Sequence, residues 1–176
     1  MRAFVTVGST QFDCLVQASL SVAVLTALRG RGYLSLVVQC GKFARAGETD
    51  GGLDKWTMEK GGMSIEMWRY KPTLAADYDN ADLIISHAGS GTILDVLRLG
   101  KPLIVLPNPT LADNHQEELA AALDHLGHLK STTISNLANC IDSFQPSSLK
   151  PFPLQDPKKF SDIIDEEMGF IPIANK

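Results

Sequence analysis

The chain has 176 residues, 44% of them hydrophobic and 20% charged, with a formal net charge of −4. That is the size and composition of one soluble globular domain, and it excludes two full-sized domains each with its own large core. A net acidic chain without a clustered basic excess argues against nucleic-acid binding and against a polybasic membrane patch. Cys14, Cys40 and Cys140 form no C-x-x-C pair; odd in number and far apart, they read as small core thiols in a reducing compartment.

Arg2 and the apolar stretch from Cys14 to Leu28 have a superficial likeness to a signal peptide. Gln11, Asp13 and Gln17 interrupt it, and Phe4 to Val7 already reads as a strand. No apolar run reaches the ~18 residues needed to span a membrane. Ala3 to Val7, closed by Gly8-Ser9-Thr10, is the first expected strand. Asp13 is placed to cap a helix from Cys14 to Arg29, stopped by Gly30 and Gly32. Tyr33 to Cys40 reads as a second strand. The six glycines between Gly41 and Gly62 suggest a long mobile loop, with a short helix around Trp56. Met63 to Tyr70 alternates as a third strand, and Pro72 opens a short helix to about Asn80.

Asp82 to Ser86 is a buried-type fourth strand, followed by a helix from about Gly91 to Leu99 that Gly100 and Pro102 end. Leu103 to Leu106 is the fifth strand, and Pro107 to Asp113 a loop. Asn114 to Leu126 is a helix with Leu119, Leu123 and Leu126 on one face. Thr133 to Phe144 is another, with Thr132 or Thr133 as cap. A proline-rich tail from Gln145 leads to a last helix, about Pro157 to Met168, with Phe160, Ile163, Ile164 and Met168 in one stripe. Strands alternating with helices imply a Rossmann-like α/β domain over residues 1–145 with a mostly parallel sheet, and 146–176 as tail and helix. Ligands of such sheets bind at the carboxyl ends of the strands.

Three loops stand out there. After the fourth strand, His87-Ala88-Gly89-Ser90-Gly91-Thr92 combines glycines, which let a ligand approach the backbone, with hydroxyls and a helix N-terminus that attracts anions. Asp95 follows about one turn later, roughly 6 Å along the axis, a spacing suited to ribose hydroxyls while the helix tip holds phosphate. The bland alternative is a tight strand–helix turn. After the first strand, Gly8-Ser9-Thr10-Gln11 can add phosphate or sugar donors; it is neither a dinucleotide fingerprint nor a P-loop. After the fifth strand, Asp113-Asn114-His115-Gln116 brings four polar side chains to a helix start, as sugar recognition requires.

Rival signals are weaker. Ser90 sits on a strand–turn–helix, but Ala88 and Thr92 stand where a nucleophile elbow has glycines. Asp77-Tyr78-Asp79 is a D-x-D, a spacing that holds a metal in some enzymes, here in a helix before a strand and read as a solvated face. His125 and His128 are too isolated for a zinc site.

HAGSGT followed by DVLRLGKPLIVLPNPTLADNHQ resembles the donor-binding domain of the MurG-like GT-B glycosyltransferases, family 28. VTVGSTQFDCLV, SHAGSGTILDVLRLGKPLIV, DNHQ and LKPFP together resemble, from Arg2 to about Phe160, the eukaryotic donor-binding subunits of the dolichol-linked N-acetylglucosaminyltransferase. The resemblance implies the C-terminal half of a GT-B fold and transfer of GlcNAc from UDP-GlcNAc to GlcNAc-diphosphodolichol. It places ribose at Asp95, donor sugar at Asp113, Asn114, His115 and Gln116, diphosphate at Gly8, Ser9 and Thr10, and the uracil at the backbone around Trp68 and Arg69. His87, Gly89, Ser90, Gly91 and Thr92 complete the expected UDP-GlcNAc site. It implies no cofactor and no protein-bound metal, because helix dipole and amides stabilise the leaving UDP.

A complete GT-B enzyme also has an acceptor domain that supplies the general base, and the chain has length for one domain only. The resemblance therefore implies a membrane-anchored partner subunit holding this chain at the cytosolic face of the endoplasmic reticulum. No base is assigned in this chain: imidazole suits such a role, but neither His87 nor His115 is assigned it. The last helix is expected either on that partner or on its own sheet. A nucleotide-sugar sensor without catalysis, and a serine hydrolase using Ser90, are the competing functions.

Overall fold

A computed structural model describes residues 1–43, 55–109, 115–154 and 157–168. Among them the strands are β1 (Arg2–Thr6), β2 (Ser35–Gln39), β3 (Lys55–Lys60), β4 (Met63–Trp68), β5 (Leu83–His87), β6 (Leu103–Leu106) and β7 (Lys130–Ser131). The helices are α1 (Asp13–Ser19), α2 (Val22–Gly30), α3 (Ala75–Asp79), α4 (Ser90–Arg98), α5 (His115–Leu126), α6 (Leu137–Ser143) and α7 (Pro157–Glu167). The sheet order is β3-β4-β2-β1-β5-β6-β7, parallel throughout except for the antiparallel β3. This is the Rossmann-like, mostly parallel α/β domain that the alternation of elements implies.

Side-chain alternation builds the two sides of the sheet. Ala3, Val5 and Val7 of the first strand segment join Leu15, Leu25, Leu28 and Ile141 in one core cluster. Phe4 points the other way and joins Tyr78, Ile93, Val96, Leu97 and Ala120 in a second. Helices α1, α2 and α6 thus cover one face, and α3, α4 and α5 the other. The chain leaves β1 toward β2 and β4 on one side, then crosses back to β5 on the other. The gap between the carboxyl ends of β1 and β5 is the topological switch point, where sheets of this kind open a crevice.

Several expectations are corrected. The single helix from Cys14 to Arg29 is two, because Ser21 caps a new start by accepting from the Val24 N–H at 3.3 Å. Asp13 is not a cap: it lies inside α1, Phe12 holds the cap position, and Gln11 Nε2 donates to the Asp13 carboxylate at 3.0 Å. The segment around Trp56 is a strand rather than loop or helix: β3 forms a hairpin with β4 through Gly61 and Gly62, both at positive φ, and buries Trp56. Thr133 to Phe144 begins with a 3-10 turn at Ile134–Asn136, and only Leu137–Ser143 is α-helical; Thr133 holds the cap position of the 3-10 turn without a side-chain capping bond, and Asn136 holds that of α6. The Pro72 helix begins later than expected, at Ala75. On α5, Leu119 and Leu123 pack against the second cluster while Leu126 is exposed.

The tail is tied down at its start. Lys150 N–H donates to the Gly127 carbonyl at 2.8 Å, and Phe152 meets His128 edge-on at 5.3 Å. His128 Nδ1 also lies 3.1 Å from the Lys150 carbonyl, so this histidine serves the tail. In α7, Ile164 and Met168 are exposed, whereas the side chains of Phe160 and Ile163 fall outside what is described. No helix among the described residues is long and apolar enough to cross a membrane.

Candidate functional site

The switch point brings the Gly8 turn and the Gly89–Ser90 segment together. Gly8 has φ +62°, a left-handed conformation that side chains resist. A Cβ on Gly8 would lie 2.4 Å from His87 Cε1, and one on Gly89 would lie 2.4 Å from His87 Nε2. The imidazole is therefore clasped between two glycines, one from each side of the crevice. Both glycines are needed because the ring leaves no room for a methyl group. Thr10 closes the turn by donating its hydroxyl to the Val7 carbonyl at 2.8 Å, leaving Ser9 exposed at the tip.

Helix α4 starts at Ser90 with Gly89 in extended conformation at the cap position, and no side chain caps it. Its first-turn N–H groups thus face the crevice, the arrangement that attracts an anion. Its other end is closed by Gly100 at φ +65°, with Gly100 N–H on the Leu97 carbonyl at 3.0 Å and Lys101 N–H on the Val96 carbonyl at 3.3 Å. Ser90, Gly91 and Asp95 are exposed. Thr92 is half-buried, beside Tyr78, a residue only 4% exposed. Burial raises the Tyr78 pKa, the neighbouring Thr92 side chain opposes the rise, and the Asp95 and Asp77 carboxylates add to it.

His87 is 6% exposed, and no hydrogen bond reaches its Nδ1. Burial lowers its pKa below the ordinary 6.5, and the nearby Thr6 backbone offsets part of that. An unfolded chain takes up the proton first. Stability is therefore complete above a pH of about 6.5 and falls as the pH drops below it, by at most ~1.4 kcal/mol per pH unit from this group. Urea unfolding at pH values of about 7.5 and 5.5 tests this. The wild type is expected to lose more stability across the interval than His87→Gln, and equal losses would contradict it.

The other expected residues are placed as follows. The Trp68 ring is 2% exposed, stacked near Phe4 at 6.1 Å, with Lys71 Nζ 4.0 Å above it. Only its backbone, with that of Arg69, reaches the carboxyl edge of the sheet. The Arg69 carbonyl accepts from Gln39 Nε2 at 2.8 Å and from the Gly41 N–H at 3.3 Å. His115 begins α5 and is exposed, whereas Gln116 accepts the Asn108 N–H on its Oε1 at 3.2 Å. Asp113 and Asn114 lie outside the described residues. A groove of about 1020 Å³ lies beside this region, between α5 and the end of β7, lined by Asn108, Gln116, Asp124, His125 and Thr132. It is separate from the glycine crevice but shares the β6 loop with it.

Three residues that shape this edge escaped sequence reasoning. Gln39 is buried at the end of β2. Asn108 is 5% exposed and donates to the Gln11 carbonyl at 3.2 Å, joining the β1 and β6 loops. Tyr78 is buried beside Thr92. The signal for Gln39 and Asn108 was a polar residue ending an apolar strand or loop that ought to be buried. In the D-x-D stretch, Asp77 pairs with Lys71 at 2.7 Å and Asp79 is exposed.

A mostly parallel sheet with two glycine turns and an uncapped helix start at its switch point defines a Rossmann-like α/β domain. The chain belongs to the glycosyltransferase family 28 C-terminal domain, whose family model matches residues 2–166. It is 34% identical, over 94% of its length and 96% of the relative's, to a UDP-N-acetylglucosamine transferase subunit ALG13 of Cryptococcus neoformans. It is 41% identical to the mouse protein of that name over 73% of this chain, and spans about a tenth of the mouse relative's length, 10%. Among solved structures it resembles an NMR structure of ALG13 at 30% identity and TM-score 0.66, covering 92% of this chain and 94% of that one. Acinetobacter baumannii MurG shares the fold, with TM-score 0.57 and 21% identity over 84% of this chain and 42% of that one. The architecture is thus that of one half of a GT-B glycosyltransferase.

Proposed function

We propose that this chain is the donor-binding part of a glycosyltransferase that moves N-acetylglucosamine from UDP-GlcNAc to GlcNAc-diphosphodolichol. The observation that carries the reading is the convergence of the Gly8 turn and the uncapped start of α4 around His87. In this reading the diphosphate sits between Gly8, Ser9 and Thr10 on one side and Gly89, Ser90 and Gly91 on the other. Asp95 holds the ribose, the Trp68–Arg69 backbone meets the uracil, and the Asp113 to Gln116 box meets the sugar. Thr92, in the first turn of α4, completes that side of the site.

The acceptor hydroxyl attacks the anomeric carbon, the bond to the diphosphate oxygen breaks, and UDP leaves with that electron pair. Helix N–H groups at the α4 start stabilise the negative charge that develops there. The hydroxyl proton goes to a base on a membrane-anchored partner subunit that also binds the lipid acceptor. The word "subunit" in the relatives' names supports such a partner. The partner holds the chain at the cytosolic face of the endoplasmic reticulum, with residues 1–145 as the nucleotide-sugar domain and 146–176 as tail and helix.

Titration of UDP into the isotope-labelled chain tests the placement. Amide shifts are expected at Gly8 to Thr10 and Gly89 to Thr92, with the β3 hairpin tip unchanged. Shifts confined to the groove between α5 and β7 would contradict it.

A further inference from the structure

The two parts of the proposed nucleotide site lie on strands that do not touch. Gly8 follows β1 and Arg69 follows β4, and β2 stands between them in the sheet. Ladder hydrogen bonds therefore cannot set the distance between Gly8 and Arg69 directly. One side chain spans it. Gln39 ends β2, is 2% exposed, and accepts on Oε1 from the Thr6 hydroxyl at 2.6 Å and the Val7 N–H at 3.1 Å. Its Nε2 donates to the Gly8 carbonyl at 2.9 Å and to the Arg69 carbonyl at 2.8 Å.

These partners fix which way the amide faces: an N–H and a hydroxyl meet the oxygen, and two carbonyls meet the nitrogen. Two N–H bonds and two acceptor positions are all used, so the group has a single satisfied orientation. The Thr6 hydroxyl also accepts the Gly8 N–H at 3.1 Å, which ties the turn a second time to the same network.

We infer that Gln39 is a positioning residue that sets the span between the Gly8 turn and the Arg69 backbone, and so matches the site to a ligand that touches both. The inference rests on reading those two segments as the diphosphate and base sides of one site. A ligand that touches one side is insensitive to the span, whereas one that bridges it is not. Gln39 touches no ligand itself; it acts through the two carbonyls it holds.

The test compares uridine with UDP by titration on the full chain. Gln39→Leu removes all four bonds at similar volume. It is expected to weaken UDP about tenfold, the size of effect of a lost buried hydrogen-bond set, while uridine changes by less than about twofold. Gln39→Glu keeps an acceptor toward Thr6 and Val7 but sets a carboxylate oxygen against two carbonyls. Protonation restores one donor, so its UDP affinity relative to wild type is expected to recover as the pH falls. That profile decides the matter even where the Leu variant does not fold. Equal losses of uridine and UDP in the Leu variant, unchanged UDP affinity, or a pH-independent Glu variant would overturn the inference. A wild type that binds no UDP sinks the nucleotide reading and this inference with it. A wild type that binds UDP beside variants that keep the UDP-to-uridine ratio sinks this inference alone.

Discussion

Gly89→Ala is expected to lower stability by roughly 1–3 kcal/mol, and to lose most of that cost when His87 is also Ala. The backbone at Gly89, with φ −73° and ψ 128°, suits any residue, so the only obstacle is the ring 2.4 Å from the new methyl. Gly8→Ala meets the same ring at 2.4 Å, but here φ is +62°. Its cost therefore has two parts, overpacking and a left-handed backbone worth about 1–2 kcal/mol. Removing the imidazole relieves the first and leaves the second. Urea unfolding of the three single variants, Gly89→Ala, Gly8→Ala and His87→Ala, and of the two double variants separates the two cases. The expected result is near-complete rescue at Gly89 and partial rescue at Gly8. Additive costs at both positions would show that His87 is not clasped as described.

Asp95→Ala is expected to weaken UDP binding by about 1.5–3 kcal/mol, the range for hydrogen bonds to a charged group, which is roughly 10- to 150-fold in Kd. Asp95 is exposed on α4, about one turn beyond the helix start at Ser90. Alanine is a better helix former than aspartate, by up to ~0.7 kcal/mol, so folding is expected to hold or improve slightly. A loss of affinity with an unchanged unfolding midpoint thus reports the ligand contact. Calorimetry on Asp95→Ala and Asp95→Asn checks it, with the Asn variant intermediate because it keeps an acceptor oxygen. Unchanged affinity in both would remove Asp95 from the site.

Elements whose burial is written in apolar runs were legible from the chain alone. Leu103 to Leu106 is buried on both faces and its strand matches the expected bounds. Helix α4 differs from expectation by one residue at each end, because Gly100 marks its stop chemically. Lys55–Lys60 was not legible: as an edge strand it buries little beyond Trp56 and carries no alternation. The break in the first helix hides in a continuous apolar composition, and only Ser21 ahead of Val22 signals it.

At the site, glycines and the helix start could be read in advance because their chemistry is local. What the fold adds is which residues meet. His87 is held by glycines 79 and 2 positions away in sequence, Gly8 and Gly89. Gln116 carries a side chain of the expected kind, yet its amide oxygen is taken by the Asn108 N–H. Gln39 works across three strands, a relation that no spacing along the chain contains.

The central claim is that this chain supplies the donor half of a two-part transferase. The direct measurement is transfer of labelled GlcNAc from UDP-GlcNAc to GlcNAc-diphosphodolichol by the chain alone, by membranes carrying the acceptor-binding subunit alone, and by the two combined. Transfer by the combination, absent from each part and sharply lowered by Asp95→Ala at limiting UDP-GlcNAc, is the predicted result. Full activity of the chain alone, or a combination that binds UDP-GlcNAc but transfers nothing, would contradict it.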